Sequence, residues 1–228
     1  MSGYAHVAID GPAGSGKTTV ARALARRLGI LYLDTGAMYR AVAWLAFATR
    51  LDPADEAELM AALEREPLRV VADRSTEAGF AISAGGRSLG EEELFAPDVT
   101  RIVSTVAAHP RVRQALVARQ RAIAQEGPVV MAGRDIGSVV LPDAPLKIFL
   151  TASVAARVER RLAELEARGA AVGWSELRSE IEERDRLDAT RAASPLRQAP
   201  GAIALDSTGT SVADVVERIV SLVRAPSA

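Results

Sequence analysis

The chain has 228 residues, 49% hydrophobic and 25% charged, with a formal net charge of −1 and no cysteine. That composition suits a soluble globular protein long enough to bury a sizeable core. It excludes disulfides, thiolate zinc sites, cysteine nucleophiles and the global basic field that holds nucleic acid by phosphate neutralisation. Met1 leads through small and polar residues into a short strand, with no basic segment or long apolar stretch. Neither a signal peptide nor a membrane span is expected, and the cytoplasm is the expected compartment.

The first strand is Ala5-His6-Val7-Ala8-Ile9, and the octapeptide Gly-Pro-Ala-Gly-Ser-Gly-Lys-Thr follows at residues 11 to 18. It fits Gly-x-x-x-x-Gly-Lys-[Ser/Thr], a loop whose backbone N–H groups turn inward on one anion. Glycines 11, 14 and 16 permit backbone conformations that a Cβ forbids, and the helix starting near Lys17 adds its positive end. Gly11, Pro12, Ala13, Gly14, Ser15, Gly16, Lys17, Thr18 and Thr19 are the expected nucleoside triphosphate site. Lys17 reaches the β- and γ-phosphates, and the Thr18 hydroxyl is placed near a nucleotide-bound magnesium. Lys17 and Lys147 are the only lysines, all other basic residues being arginine. A flexible ammonium suits a moving γ-phosphate, whereas arginine's planar fork suits fixed bidentate contacts.

A helix over 18–28 ends at Gly29 in a left-handed cap. Ile30-Leu31-Tyr32-Leu33 reads as a buried strand, and 35–50 as a helix with an apolar stripe through Met38, Val42, Leu45 and Phe47. The texture then changes to an acidic helix over 52–66 and a strand, turn and strand over 69–84, with Gly85-Gly86 as the next turn. This stretch looks like a small insertion on the main sheet. The pattern resumes with a helix over 110–125, the strand Val129-Val130-Met131-Ala132 and the segment Gly133-Arg134-Asp135-Ile136-Gly137. Charged residues straight after a buried strand lie at the carboxyl edge of a sheet, where open α/β folds bind ligands. A strand over 146–150, an arginine-rich helical region to about 191, a last strand Ile203-Ala204-Leu205 and a helix over 212–224, capped by Ser211 with Asp214, complete the chain. Five short strands separated by helices predict an α/β fold with a parallel, helix-covered sheet.

The arginines Arg40, Arg113, Arg134, Arg157, Arg160, Arg161, Arg184, Arg186 and Arg191 mostly stand beside turns or at irregular spacing. Transfer between two nucleotides gathers negative charge in one cleft, which such forks neutralise while holding the reacting oxygens in line. The segments Ile9-Asp10-Gly11-Pro12, Leu33-Asp34-Thr35-Gly36-Ala37-Met38-Tyr39-Arg40, Gly133-Arg134-Asp135-Ile136-Gly137 and Arg184-Asp185-x-x-Asp188-x-x-Arg191 resemble the bacterial cytidylate kinase family. Ser194-Pro195-Leu196 and Leu205-Asp206-Ser207-Thr208 extend the resemblance over nearly the whole chain.

The resemblance implies a P-loop nucleoside monophosphate kinase fold, with a core at 1–61 and 105–228, an inserted monophosphate-binding subdomain at 62–104 and a short lid at 157–175. It implies a monomer that uses ATP and Mg2+ to phosphorylate CMP or dCMP in pyrimidine nucleotide metabolism; the near-neutral charge, few aromatics and missing apolar stretch leave neither nucleic acid nor membrane as an expected partner. Arg40, Arg134 and Arg191 resemble the residues that hold the acceptor phosphate, with Arg184 nearby and Asp188 accepting from the ribose hydroxyls. Thr35 and Tyr39 belong to the same acceptor motif, Thr35 keeping a hydroxyl where the family often has serine. Asp135, Arg113 and Ser104 resemble the base readers: a carboxylate accepts from the cytosine amino group and an arginine donates to O2 and N3. Lys17, Arg134, Arg157, Arg161 and Arg191 are the expected catalytic set, Arg157 and Arg161 closing over the transferring group.

Other readings stay in view. For Arg160, pairing with glutamates along its own helix is open, and Arg186 reads as solvated. His6 and His109 read as structural, Trp44 and Trp174 as packing residues, and Glu91-Glu92-Glu93 as an exposed acidic turn. The rivals to the resemblance are a kinase for UMP, AMP or shikimate, and a nucleotide-hydrolysing switch.

Overall fold

The computed structural model describes residues 6–73, 80–167, 169 and 172–224. The chain runs β1 (Val7–Asp10), α1 (Lys17–Leu28), β2 (Leu31–Asp34), α2 (Thr35–Thr49), α3 (Glu56–Arg65), β3 (Arg69–Ala72), β4 (Phe80–Ala84) and β5 (Arg87–Leu89). It continues through α4 (Glu91–Leu94), α5 (Pro97–Ala108), α6 (Pro110–Gln125), β6 (Val129–Gly133), a π-helical turn (Ile136–Val140), β7 (Leu146–Thr151), α7 (Val154–Ala167), α8 (Trp174–Thr190), β8 (Ile203–Asp206) and α9 (Val212–Arg224).

The main sheet is parallel in the order β2-β6-β1-β7-β8, as the alternation of strand and helix predicts. Helices cover both faces, so β6 and, up to its terminal Asp10, β1 are continuous apolar runs, and both are buried at every position. The parallel register aligns the strand ends, so Asp10 lies level with Gly133 and Phe149, and Asp34 level with Ala132. The carboxyl edge therefore presents Asp10, Asp34 and the Arg134-Asp135 segment side by side. Helix α1 ends at Gly29 in the expected left-handed conformation, φ 69°.

Helix α2 is buried on almost every side, and Met38, Val42 and Leu45 fill the core. Phe47 departs from the expected stripe and is 50% exposed. Nine residues beyond Met38, it sits about half a turn round the helix from it. A three-stranded antiparallel sheet, β3-β4-β5, follows, with Gly85 and Gly86 in the β4-β5 turn at φ 58° and 69°. The turn expected between β3 and β4 falls on residues outside the described ones, as does Ala5 of the first strand. Helix α3 begins at Glu56 rather than 52, because the Asp55 side chain caps it by accepting from the N–H groups of Ala57 and Glu58.

Helix α5 went unread in the sequence, and Glu91-Glu92-Glu93 form the short helix α4 instead of an open turn. There Glu93 accepts from the Gly90 N–H at 2.9 Å and from Arg87 at 2.7 Å. The expected subdomain limits at 62 and 104 fall inside α3 and α5. The arginine-rich region is an α7-α8 hairpin with a small apolar cluster of its own, Val158, Leu177 and Ile181. Trp44 packs on the main core as expected, but Trp174 opens α8 at 41% exposure with Arg178 against its ring. His109 has the expected structural role, its Nε2 lying 2.8 Å from the Pro53 carbonyl. Among the described residues no helix is long and apolar enough to cross a membrane.

Candidate active site

A cleft of about 1950 Å3 runs along the carboxyl edge of the main sheet, and the phosphate loop and the acceptor-side residues open into it together. Gly14 and Gly16 hold φ of 74° and 87°, which aims the loop N–H groups inward ahead of α1. Ala13 to Thr19 line the cleft, whereas Gly11 and Pro12 shape the loop from behind. A Cβ on Gly11 would overlap the Leu150 carbonyl, so glycine lets the loop leave β1 pressed against β7. Pro12 supplies a carbonyl that accepts from Lys17 Nζ at 2.6 Å.

Thr18 Oγ1 donates to Asp34 Oδ2 at 3.1 Å, while Asp34 Oδ1 caps α2 by accepting from the Gly36 N–H at 2.9 Å. A hydroxyl beside a carboxylate is the hard-oxygen set that Mg2+ takes when water and substrate phosphates complete its shell. Among the described residues no cluster of three or more His, Asp or Glu forms a self-sufficient metal cage. The residues thus fit a magnesium ion brought in with a nucleotide.

On the acceptor side Arg113 and Asp135 form a buried ion pair, their side chains 5% and 6% exposed. Arg113 also donates to the Ala107 carbonyl at 3.0 Å and lies over the Tyr39 ring at 5.3 Å. Ser104 is half-buried on the cleft wall. Thr35 lines the cleft too, but its hydroxyl donates to the Ala132 carbonyl at 2.9 Å, which leaves it only an acceptor role toward a ligand. Arg134 Nε donates to Asp188 Oδ2 at 2.7 Å, and Arg191 Nε to the Ser194 carbonyl at 2.6 Å. Arg184 Nε and Arg191 Nη2 are buried without a hydrogen-bond partner among the described residues. Orphaned donors at such depth are costly unless an acceptor reaches them, and a phosphate is an acceptor of matching charge and shape.

Charge crowding has the same consequence. Burial, then the Arg134 charge, holds the Lys17 ammonium pKa well below the usual lysine range. Burial also lowers Arg40, with Arg184 the next contributor, and lowers Arg184, with Arg134 next. Burial pushes Asp188 up, but Arg134, Arg184 and Arg191 outweigh it and leave its carboxyl below the ordinary range. The cluster is built to be relieved by an entering polyanion.

The lid arginines diverge from expectation. Arg157 is buried behind the loop, bidentate to Asp185 at 3.0 and 2.6 Å and donating to the Ala13 carbonyl, so it braces the loop rather than facing the cleft. Arg160 does not pair along its helix: it donates to the Ser207 carbonyl at 2.6 Å and hydroxyl at 3.0 Å. Arg161 faces the cleft and pairs with Glu164. Arg186 is exposed against Glu183 as expected. Arg40 lines the cleft while donating to the Leu94 carbonyl and Thr100 hydroxyl and stacking on Phe95.

Sequence reasoning missed Asp10, Asp34, Asp185 and Ser207 as site-building residues. Asp34 carried a usable signal, a carboxylate between an apolar strand and a helix start. Ser207 stood in a segment that extends the family resemblance, but nothing local showed its role, because its hydroxyl lies 3.0 Å from the Ser15 carbonyl, 192 residues away, and its other partners, Thr151 and Arg160, are 56 and 47 residues away.

The family model described as cytidylate kinase matches residues 7–225. A protein named cytidylate kinase from Pelotomaculum thermopropionicum is 49% identical over 227 residues, covering 99% of this chain and 98% of the relative. A bifunctional pantoate ligase/cytidylate kinase from Synechococcus sp. (strain JA-3-3Ab) is 50% identical over 219 residues, covering 96% of this chain but 40% of the relative. The chain thus spans less than half the length of such bifunctional relatives. Among solved structures, an uncharacterized protein from Eubacterium ventriosum aligns with TM-score 0.51 at 13% identity over 97% of this chain and 99% of that one, a likeness of fold alone.

Proposed function

The chain belongs to the cytidylate kinase family, and from that premise we propose that it transfers the γ-phosphate of ATP to CMP or dCMP, giving ADP and CDP or dCDP. The observation that carries this reading is the buried Arg113–Asp135 pair opening into the same cleft as the phosphate loop. Asp135 accepts from the cytosine amino group and Arg113 donates to the ring acceptors; uracil would set a carbonyl against the Asp135 carboxylate, a mismatch of about 1–3 kcal/mol.

Lys17 and the loop N–H groups hold the donor phosphates, while Arg40, Arg134, Arg184 and Arg191 hold the acceptor phosphate in line with them. Asp188 accepts from the ribose hydroxyls. Thr18 and Asp34 would hold Mg2+, which supplies charge neutralisation on the donor phosphates when bound. The acceptor phosphate is already an anionic nucleophile, so no side chain serves as general base and no phosphoenzyme forms. Residues 62–104 act as the monophosphate-binding insertion and 157–175 as the lid, its start tied by Arg157 and Arg160 to the phosphate loop and to Ser207 and its Val158 packed with Leu177 and Ile181 of α8. Arg161 closes on the transferring group, and closure excludes water and suppresses hydrolysis. The reading places the activity in pyrimidine nucleotide metabolism, in the cytoplasm and in a monomer, the oligomeric state resting on the family resemblance alone.

The test is ADP production from Mg·ATP with CMP, dCMP, UMP, AMP or GMP as sole acceptor, against a control without acceptor. Turnover confined to CMP and dCMP is expected. Acceptor-independent hydrolysis would overturn the reading and favour a switch.

A further inference from the structure

Asp135 stands at the start of the π-helical turn, the position from which a side chain ordinarily caps the first free N–H groups. It makes no such bond, because its carboxylate is turned to Arg113. The cap comes instead from another strand: Asp10, at the end of β1 and 3% exposed, accepts the Ile136 N–H through Oδ1 and the Gly137 N–H through Oδ2, each at 2.7 Å. Gly137 allows the approach, since a Cβ there would lie 3.3 Å from Asp10 Oδ2 and 3.2 Å from the Lys147 side chain. On the other side Asp10 is bonded directly to Gly11, which is pressed against β7.

We infer that Asp10 is a positioning residue for base recognition: by capping the turn in trans it frees Asp135 to read the base and ties that reader to the phosphate loop. Gly11 locks the donor end of this link and the two N–H bonds lock the acceptor end, so one carboxylate sets the spacing between the base reader and the reacting phosphates. An aspartate is required. Each oxygen serves one N–H, whereas an asparagine would turn its own N–H2 toward one of them. The charge at this depth has a cost: burial, and less strongly the Asp135 charge, raise the Asp10 pKa against the Gly137 and Ile136 N–H bonds and Lys17, which lower it, and the balance stands at about 6.

This inference rests on the proposed CMP kinase activity, and the experiment separates the two. For wild type, Asp10→Asn and Gly137→Ala, kcat and KM are measured for CMP, UMP and ATP, with thermal melting of each protein. A wild type inactive on CMP removes the kinase reading itself. With an active wild type, Asp10→Asn is expected to lower the CMP to UMP ratio of kcat/KM at least tenfold, leave KM for ATP within twofold and melt no lower than wild type. Gly137→Ala, which crowds the same contact from the other side, is expected to lower the ratio at least threefold and decides the matter should Asp10→Asn fail to fold. A merely structural role would reduce the active fraction and leave the ratio unchanged. A ratio within twofold of wild type in whichever variants fold overturns the inference.

Discussion

Replacing Asp135 by asparagine keeps the shape of the buried pair and removes its negative charge. The Arg113 guanidinium, 5% exposed, is then left buried without its counter-ion. Breaking such a pair from one side costs about 3–5 kcal/mol, much of it the desolvation of the surviving charge. Arg113 retains the Ala107 carbonyl at 3.0 Å and the Tyr39 ring at 5.3 Å. The expected loss therefore lies at the low end, about 3 kcal/mol or roughly 150-fold in the folding equilibrium, a large share of a total of about 5–15 kcal/mol. Removing both charges with apolar side chains, as in Arg113→Met with Asp135→Leu, leaves no uncompensated ion and should cost far less than the two single changes together. Guanidinium chloride is unsuitable because it screens charge, so the cycle is measured by urea unfolding at pH 7 in low and in 0.5 M salt. Single variants that each lose under about 1 kcal/mol, and add, would mean that the pair behaves as a screened surface bridge and would refute this reasoning. In turnover, Asp135→Asn should raise UMP relative to CMP by roughly tenfold or more, the amide being able to donate to a uracil carbonyl.

Lys17→Met should abolish turnover without lowering the melting temperature: the folded-state lysine pKa is depressed, so at neutral pH the ammonium weakens the fold, and a clearly lower melting point would contradict this. Asp10 gives a signed pH dependence. Its folded pKa of about 6 exceeds the unfolded 3.8, so the folded state binds the proton more tightly and stability falls as pH rises through that window, by about 3 kcal/mol. Urea melts between pH 4 and 7 should therefore show wild type losing stability relative to Asp10→Asn on going up, and a flat difference would refute the assignment. Ser207→Ala removes the hydroxyl that accepts from Arg160 and gives its one proton to the Ser15 carbonyl of the phosphate loop or the Thr151 carbonyl at the end of β7, and should cost about 1–3 kcal/mol while raising KM for ATP several-fold and leaving KM for CMP unchanged. An unchanged KM for ATP would show that the Ser207 contacts do not hold the donor site.

The phosphate loop, the alternation of five strands with helices and the arginines that gather at the cleft were legible in the sequence. Each is written in contiguous residues: glycines that tolerate positive φ at 14 and 16, a strand run ended by a charged residue, a helix closed at Gly29. Local backbone preference and hydrophobic period act over a few residues, and they need no knowledge of what lies opposite. Tertiary structure alone decided which groups meet. Asp10 reaches the turn 126 residues on because β1 sits beside β6, and Ser207 braces the phosphate loop from 192 residues away because β8 follows β7 at the sheet edge. The same placement turned Arg157 from an expected lid finger into a brace held by Asp185, and left Trp174 and Phe47 facing water. Pairing across a sheet depends on strand order and register, which are set by burial of the whole core and cannot be read from any one segment.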